Sequence, residues 1–436
     1  MTELTAGIDI GTSSVKAVAA DRDGTVVARA RIPHDFHVPS PLRFEHDAAV
    51  AWHEGPQRAL EALGDVDLAA VSVAAMVPSL TAVDDEGVPC TPGLLYGDER
   101  GHSDRATAIA EAGELMQFLR WQAHERPDAR GYWMAQAVAN HALTDKAIVS
   151  TTVAATANPL FDWVQWDEKL LAECGARADQ MPEIGVSGTP LAEVHGRPGC
   201  VLEGGTIDAM GEQIVAGCDE VGDVLVILGT TLIVWVVVDE AITVPNHYTI
   251  PHTAPGRFLV GGPSNAGGLF LNWVDRLCAP ASGDATPGQV PLWAPYPRGE
   301  RVPFQDSARR AQLIDLNLTH DATAIRRAAF EASGFVARRM IDAAGGGRRI
   351  VATGGGTRVD GWVQALADCT HLPVHVCDVP EGGALGAAYL ARLAAGLETS
   401  MSEAARWART ARVVDPDAAW ANAVADRYSR FLGIAG

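Results

Sequence analysis

Two stretches of this chain repeat one pattern half a chain apart. "DIGTSSVKAVAAD", Asp9 to Asp21, and "ILGTTLIVWVVVD", Ile227 to Asp239, align without a gap. In each, an apolar strand runs into Gly-Thr and a hydroxyl, returns as a second apolar strand and closes on Asp. Gly11 matches Gly229, Thr12 matches Thr230, Ser13 matches Thr231 and Asp21 matches Asp239, an offset of 218 in 436 residues. A chain of that length exceeds one ordinary hydrophobic core, so the repeat marks a duplicated two-domain α/β fold.

The balance of 34 basic against 54 acidic residues, net −20, would repel a phosphate backbone or an anionic lipid surface, so no nucleic acid and no membrane partner is expected. The longest uncharged stretch near a membrane length, Val224 to Val238, has only 15 residues and is broken by Gly229-Thr230-Thr231, which fits two buried strands and a turn. Seven cysteines without a CxxC pair, and an N-terminus lacking a basic and then apolar leader, point to reduced thiols and a cytoplasmic protein.

Along the chain, Ser14 to Ile32 reads as a hairpin about "DRDG", and Asp47 opens a helical stretch, "AAVAWHEGPQRALEAL". "LAAVSVAAM" is a buried strand, and "AVDDEGVPC" a second hairpin turn. Residues 100–158 read as a mainly helical insertion broken at Arg126-Pro127 and Gly131, and 280–303, rich in Pro and Gly, as a long loop. A helix then runs from about Asp321, followed by the strand and glycine loop of "RRIVATGGG" and the helix "DGWVQALADCT".

A hairpin tip made of Gly-Thr and a hydroxyl offers consecutive backbone N–H groups to an anion, with Gly allowing close approach. Two such tips facing each other across a cleft would grip one polyphosphate, and Asp9, which has Ile227 as its counterpart, would supply the carboxylate that Mg²⁺ needs. Three glycines in "VATGGGTRVDGWVQ" would let a flat ring such as adenine lie on bare backbone, or merely join strand to helix. Asp208 in "GGTIDAMGEQIVAG" is either the N-cap of a helix or a general base. Trp52, Trp133, Trp163 and Trp166 are open to sugar stacking or core packing. Arg298 and Arg301 are open to phosphate contact or an ion pair, and His34 and His37 fit a solvated loop.

These pieces in this order resemble the FGGY family of carbohydrate kinases, whose superfamily includes hexokinase and actin. "GIDIGTSSVKAV" resembles its first phosphate motif, "VGDVLVILGTT" its second, and "GGGTRVDGWVQALADCTHLPVHV" its adenosine motif; "PYPRGERVPFQDS" and "FEHDAAVAW" complete the set. The resemblance implies a duplicated ribonuclease H-like fold with a central cleft. Its domains would be 1–217, carrying the sugar site and the base, and 218–436, binding nucleotide. It implies ATP and Mg²⁺, Asp208 as catalytic base and Asp9 at the metal. Nucleotide contacts would come from Gly11, Thr12, Ser13, Gly229, Thr230, Thr231, Gly268, Gly355 and Gly356, and substrate contacts from Met76, Asp98 and Asp208. The partner is a small sugar or polyol, a ketopentose such as xylulose or ribulose foremost, and a homodimer is compatible with it. A non-catalytic sensor on the same fold is the alternative, disfavoured by the presence of both Asp9 and Asp208.

Two stretches depart from the family. Ala75-Met76-Val77-Pro78 stands where xylulokinases have Gln-Met-His, and in "LLYGDERG" Tyr96 and Gly97 replace Trp and Asn beside Asp98 and Arg100. With the histidine missing, D-xylulose is expected to be a poorer substrate than some other ketose or polyol. Coupled ADP release across a panel of such acceptors checks this, and a preference for xylulose over the whole panel would contradict it.

Overall fold

The computed structural model describes residues 3–40, 42–101, 114–252, 256–280, 283–378 and 381–435. The chain divides into two units, Met1–Val215 with Pro380–Trp407, and Ala216–Val379 with Ala408–Gly436.

Each unit is built on one mixed sheet. In the first, Thr5–Ile10 pairs antiparallel with Ser14–Ala20, which pairs antiparallel with Val26–Pro33, while Ala70–Ala75 runs parallel on the other side of Thr5–Ile10. In the second, Asp223–Leu228 pairs antiparallel with Leu232–Val238, which pairs antiparallel with Phe258–Ser264, while Arg349–Thr353 runs parallel on its far side. The topology is therefore duplicated, and the first two strands of each sheet correspond at the offset of 218. Thr5–Ile10 and Asp223–Leu228 are buried along their whole length, as expected of strands covered on both faces.

The pairing itself is slipped by one residue. Asp9 lies opposite Lys16 in the first hairpin, whereas Ile227 lies opposite Ile233 in the second, because the second turn closes Gly229 N–H on Thr231 O and the first closes Gly11 N–H on Ser14 O. A one-residue slip changes every cross-strand neighbour. The Asp9–Lys16 pair has no counterpart in the second unit in either register, because Ile227 and Val234 stand at the matching positions.

Three expectations need correction. A division into consecutive halves at 217/218 leaves out the return of the chain to the first unit, where helix Gly382–Ala394 packs on Thr5–Ile10 and Ala70–Ala75. Residues 100–158, of which 102–113 lie outside the described residues, are no insertion. Strand Gly131–Trp133 pairs with Ser79–Val83, and helix Ala135–Thr144 is buried along its length. The segment 280–303 is not a plain loop either, since Leu292–Ala294 pairs with Gln312–Ile314 and Trp293 and Tyr296 are buried. A further sheet in the first unit, ordered His37–Ser40, Arg43–His46, Gly93–Leu95, Ser79–Val83 and Gly131–Trp133, was not anticipated. The helical stretch after Asp47 does form, as a π-helical turn Ala49–Glu54 running into Gly55–Glu61, with Pro56 in the first turn of the latter, where its missing N–H costs nothing.

Helix Gly382–Ala394 approaches the sheet through small residues. A Cβ on Gly7 would fall 1.7 Å from Ala384 O, and on the helix's other contact, with helix Asp208–Ala216, one on Gly386 would fall 2.1 Å from Gly211 O. Thr5 Oγ1 donates to Ala388 O at 2.9 Å across the seam with the strand. Gly7→Ala is expected to destabilise the protein by about 3 kcal/mol, at the upper end of overpacking effects, as measured by urea denaturation. An unchanged midpoint would mean that helix and strand are not in contact at Gly7.

Candidate active site

At the tip of the first hairpin the carbonyls are tied back and the amides are bare. His46 Nε2 lies 2.9 Å from Thr12 O, and the His34 amide donates to Ser13 O at 3.2 Å. The Trp52 indole N–H donates to His46 Nδ1 at 3.0 Å. An indole only donates, so Nδ1 is the acceptor and Nε2 carries the proton given to Thr12 O. Burial, with His34 and His37 nearby, pushes the His46 pKa down to about 4, which keeps the ring neutral and this tautomer in place. The amides of Thr12 and Ser13 make no hydrogen bond among the described residues, and Ser13 is exposed. Two adjacent bare donors on a turn are suited to an anion. The Thr12 hydroxyl lies 3.3 Å from the Tyr96 hydroxyl, so the residue that departs from the family's Trp touches this turn.

Just before the turn, Asp9 is 6% exposed. Its Oδ2 accepts from Lys16 Nζ at 3.2 Å, while its Oδ1 is buried with no hydrogen-bond partner. An orphaned carboxylate oxygen in such a position is costly unless something binds it. Lys16 was not anticipated, although antiparallel pairing about Gly11–Ser14 sets position 16 opposite position 9. Asp9 chiefly holds the Lys16 ammonium above its usual pKa, against the effect of burial, and Glu212 and Glu381 add to it.

Asp208 opens helix Asp208–Ala216. Its Oδ1 accepts from the amide of the next residue, Ala209, at 2.7 Å, whereas an N-cap accepts from an amide two or three residues on. No other described residue donates to its Oδ2, although the residue's own amide also favours the charged carboxylate. Burial first, and then the charge of Asp9, raise its pKa to about 6; the Ala209 amide and Lys16 pull the other way. Strand ends behind it are locked in place. Gln136 Nε2 donates to Ala75 O and Thr206 O at 3.1 and 3.0 Å, and the wholly buried Glu203 accepts from Ser72 Oγ and from the amides of Gly188 and Gly205. Neither residue was singled out from the sequence, because a lone Gln in a helix and a lone Glu before Gly-Gly carry no motif.

The proposed substrate contacts sit less openly. Met76 is 3% exposed and packs in the first unit's core. Asp98 is wholly buried, and its oxygens accept from the Phe44 amide and from the Arg100 amide, Nε and a terminal guanidinium nitrogen. Four donors fill a carboxylate's acceptor sites, so Asp98 as placed anchors Arg100, which also pairs with Glu45 at 2.7 Å. Trp52, Trp133 and Trp166 are buried, and of the four tryptophans weighed for sugar stacking only Trp163 is exposed.

In the second unit the turn reaches the same state by other means. The Gly268 amide donates to Gly229 O at 2.9 Å and the Leu269 amide to Thr230 O at 3.0 Å, so the start of helix Gly268–Leu277 takes up the carbonyls. The Gly268 N–H is thereby engaged with the turn, and the amides of Thr230 and Thr231 are left without a partner among the described residues. The glycine loop adjoins this turn, since a Cβ on Gly354 would fall 2.8 Å from Leu228 O. Gly355 is exposed with nothing within 4 Å of an added Cβ, whereas one on Gly356 would fall 2.3 Å from the buried Trp362 ring.

No group of three or more His, Cys, Asp or Glu among the described residues is arranged to hold a metal ion unaided. The orphaned Asp9 Oδ1 nonetheless fits Mg²⁺ shared with phosphate oxygens and water, the usual way this ion is held. None of the seven cysteines forms a disulfide, and no helix among the described residues is long and apolar enough to cross a membrane.

Set against known proteins, the chain matches "FGGY family of carbohydrate kinases, N-terminal domain" over residues 4–120 and the C-terminal domain of the same family over residues 224–395. It is 25% identical over 458 residues to the xylulose kinase of Escherichia coli (strain K12), with 91% of each chain covered. It is 24% identical over 461 residues to the gluconokinase of Bacillus subtilis (strain 168), covering 91% of this chain and 88% of that one. The solved structure of a xyloylose kinase from Brucella ovis matches with a TM-score of 0.85 at 22% identity, over 99% of this chain and 98% of that one.

The two glycines of the loop separate binding from folding. Gly355→Val is expected to raise the Michaelis constant for the nucleotide about tenfold or more with the melting temperature unchanged, because it fills the open face. Gly356→Val should lower the melting temperature through its clash with Trp362. Steady-state kinetics with thermal melts check both, and a Gly355→Val enzyme with unaltered nucleotide kinetics would remove the loop from the binding site.

Proposed function

Because this chain belongs to the FGGY family of carbohydrate kinases, ATP-dependent phosphotransferases with the fold of the actin- and hexokinase-type ATPases, we propose that it phosphorylates a primary hydroxyl of a sugar or polyol with Asp208 as general base. The observation that carries this reading is the state of Asp208, a carboxylate with one uncommitted oxygen and a pKa raised to about 6. Such a group is mostly ionised at pH 7 and still basic enough to accept a hydroxyl proton.

In the proposed reaction the substrate oxygen forms a bond to the γ-phosphorus and the bond from that phosphorus to the bridging oxygen of ADP breaks. ADP leaves with the electron pair, and the hydroxyl proton passes to Asp208. The transition state is loose, so the chain contributes chiefly position and charge compensation. The bare amides of Thr12, Ser13, Thr230 and Thr231 would donate to phosphate oxygens. Gly355 would leave room for the flat base, and Asp9 would hold Mg²⁺, which when bound neutralises phosphate charge. Lys16 tempers the field that Asp9 exerts on Asp208.

A ketopentose is the acceptor this reading favours, supported by the similarity to a xylulose kinase. Tyr96 beside Thr12, and the absence of a histidine at Val77-Pro78, set this chain's pocket apart from the family pattern.

Asp208→Asn keeps the shape and the acceptor for the Ala209 amide but removes the base. Sugar-dependent ADP release is expected to fall by about 10²- to 10⁴-fold, with the melting temperature and sugar binding retained. Unchanged turnover in the folded variant would take Asp208 out of the mechanism.

A further inference from the structure

The segment "PRGERVPF", 297–304, is set rigidly against the second Gly-Thr turn. The Glu300 and Asp306 amides each donate to the other's carbonyl at 2.8 Å, and the Val302 amide donates to Pro263 O at 3.1 Å, beside strand Phe258–Ser264. Gly299 takes φ 79°, and a Cβ there would fall 2.6 Å from Ser307 Cα, so the fold requires glycine at this tight point. Glu300, 3% exposed, turns its carboxylate inward and accepts from Ser264 Oγ at 2.8 Å, from the Asn265 amide at 2.8 Å and from the Arg301 amide at 2.7 Å. Backbone and buried neighbour together fix where the next side chain points.

That side chain is Arg301, and its guanidinium is under-used. One terminal nitrogen donates to Thr231 Oγ1 at 3.2 Å, the hydroxyl of the turn whose amides are bare. Its Nε is buried with no partner, and no carboxylate lies within ion-pair distance of the guanidinium among the described residues, although the Glu300 carboxylate is near enough to feel its charge. Arg301 is half-buried, and the fully buried arginines among the described residues are all paired: Arg100 with Asp98 and Glu45, Arg327 with Glu331 and Asp368, Arg392 with Glu398, and Arg427 with Glu331. A guanidinium always carries its charge and offers five donors in a planar fork that matches two oxygens of one phosphate. A buried and unsatisfied donor of this kind, on a turn shaped for an anion in a chain of net charge −20, calls for an anionic ligand.

We propose that Arg301 is a phosphate ligand of the nucleotide, engaging the polyphosphate held on the Gly229-Thr230-Thr231 turn together with the amides of Thr230 and Thr231. The inference rests on the kinase reading above and adds a cationic residue to it. Thr231 Oγ1 then has a second task, since the hydrogen bond it accepts aims the guanidinium before the nucleotide arrives. The contact is with the phosphates and not the base, because the open glycine of the adenine loop, Gly355, lies after a different strand, Arg349–Thr353.

Calorimetric titration with ATP, ADP and adenosine, each with Mg²⁺ present, tests the assignment on wild type, Arg301→Gln and Arg301→Lys. Arg301→Gln is expected to weaken ATP and ADP by about 10- to 100-fold, the usual worth of a charge-assisted hydrogen bond, and to leave adenosine and the sugar unaffected. Arg301→Lys should recover part of the loss, since it keeps the charge without the fork. Wild-type ATP affinity in Arg301→Gln, or an equal loss for adenosine, would overturn the assignment while leaving the kinase reading intact. If Arg301→Gln fails to fold, a Lys variant that binds all three as wild type does would overturn it equally. A wild-type protein that binds no ATP would overturn the kinase reading and this inference with it.

Discussion

The structure of the first unit turns on a buried negative charge that is only half compensated. Asp9 sits at the end of a fully buried strand with one oxygen on Lys16 and the other on nothing. Several features of the fold exist around it. Helix Gly382–Ala394 closes over the strand, yet Gly383 leaves its side of the carboxylate bare, and a Cβ there would fall 3.4 Å from Asp9 Oδ1. Lys16 is held opposite by sheet register. The charge reaches Asp208 as well and helps to lift its pKa to about 6. In the proposed mechanism this half-compensated carboxylate both takes a cation and tunes the base.

The two halves of the duplication reach one end by different chemistry. For a Gly-Thr turn to bind phosphate with its amides, as proposed, its carbonyls must be turned away and satisfied elsewhere. In the first unit a buried, neutral histidine does this, with its tautomer set by an indole. In the second unit the start of a helix does it with two backbone amides. The first solution spends side chains on the turn, which explains why "FEHDAAVAW" carries Glu45 for Arg100, His46 for Thr12 O, Asp47 for the Val50 amide and Trp52 for His46. The second frees the neighbouring loop to bring an arginine to the turn.

What could be read in advance was whatever repeats or has a period. The two hairpins, the buried strands and the glycine loop after Arg349–Thr353 all stand where their patterns place them. What could not be read is long-range. Strands of three to five residues such as Gly93–Leu95 have no period, so their sheet was invisible. The return of Gly382–Ala394 to the first unit has no local signature beyond a run of small residues. Trp52 resembles a stacking platform in sequence but is a wholly buried hydrogen-bond donor, and Asp98 resembles a substrate contact but is saturated by Arg100 and the Phe44 amide. Gly355 and Gly356 are neighbours in sequence, and only the structure tells the open face from the packed one.

The central claim is that Asp208 is the working base and that its basicity is set by burial and by the Asp9–Lys16 pair. The pH dependence of kcat/KM for the sugar, which reports groups of the free enzyme, tests it in wild type and Lys16→Met. The wild-type rate should fall as pH drops through about 6, where Asp208 takes up a proton. Lys16 lowers the Asp208 pKa, so its removal should move that fall to higher pH. A wild-type profile flat from pH 5 to 8, or a fall that stays in place in Lys16→Met, would contradict the account.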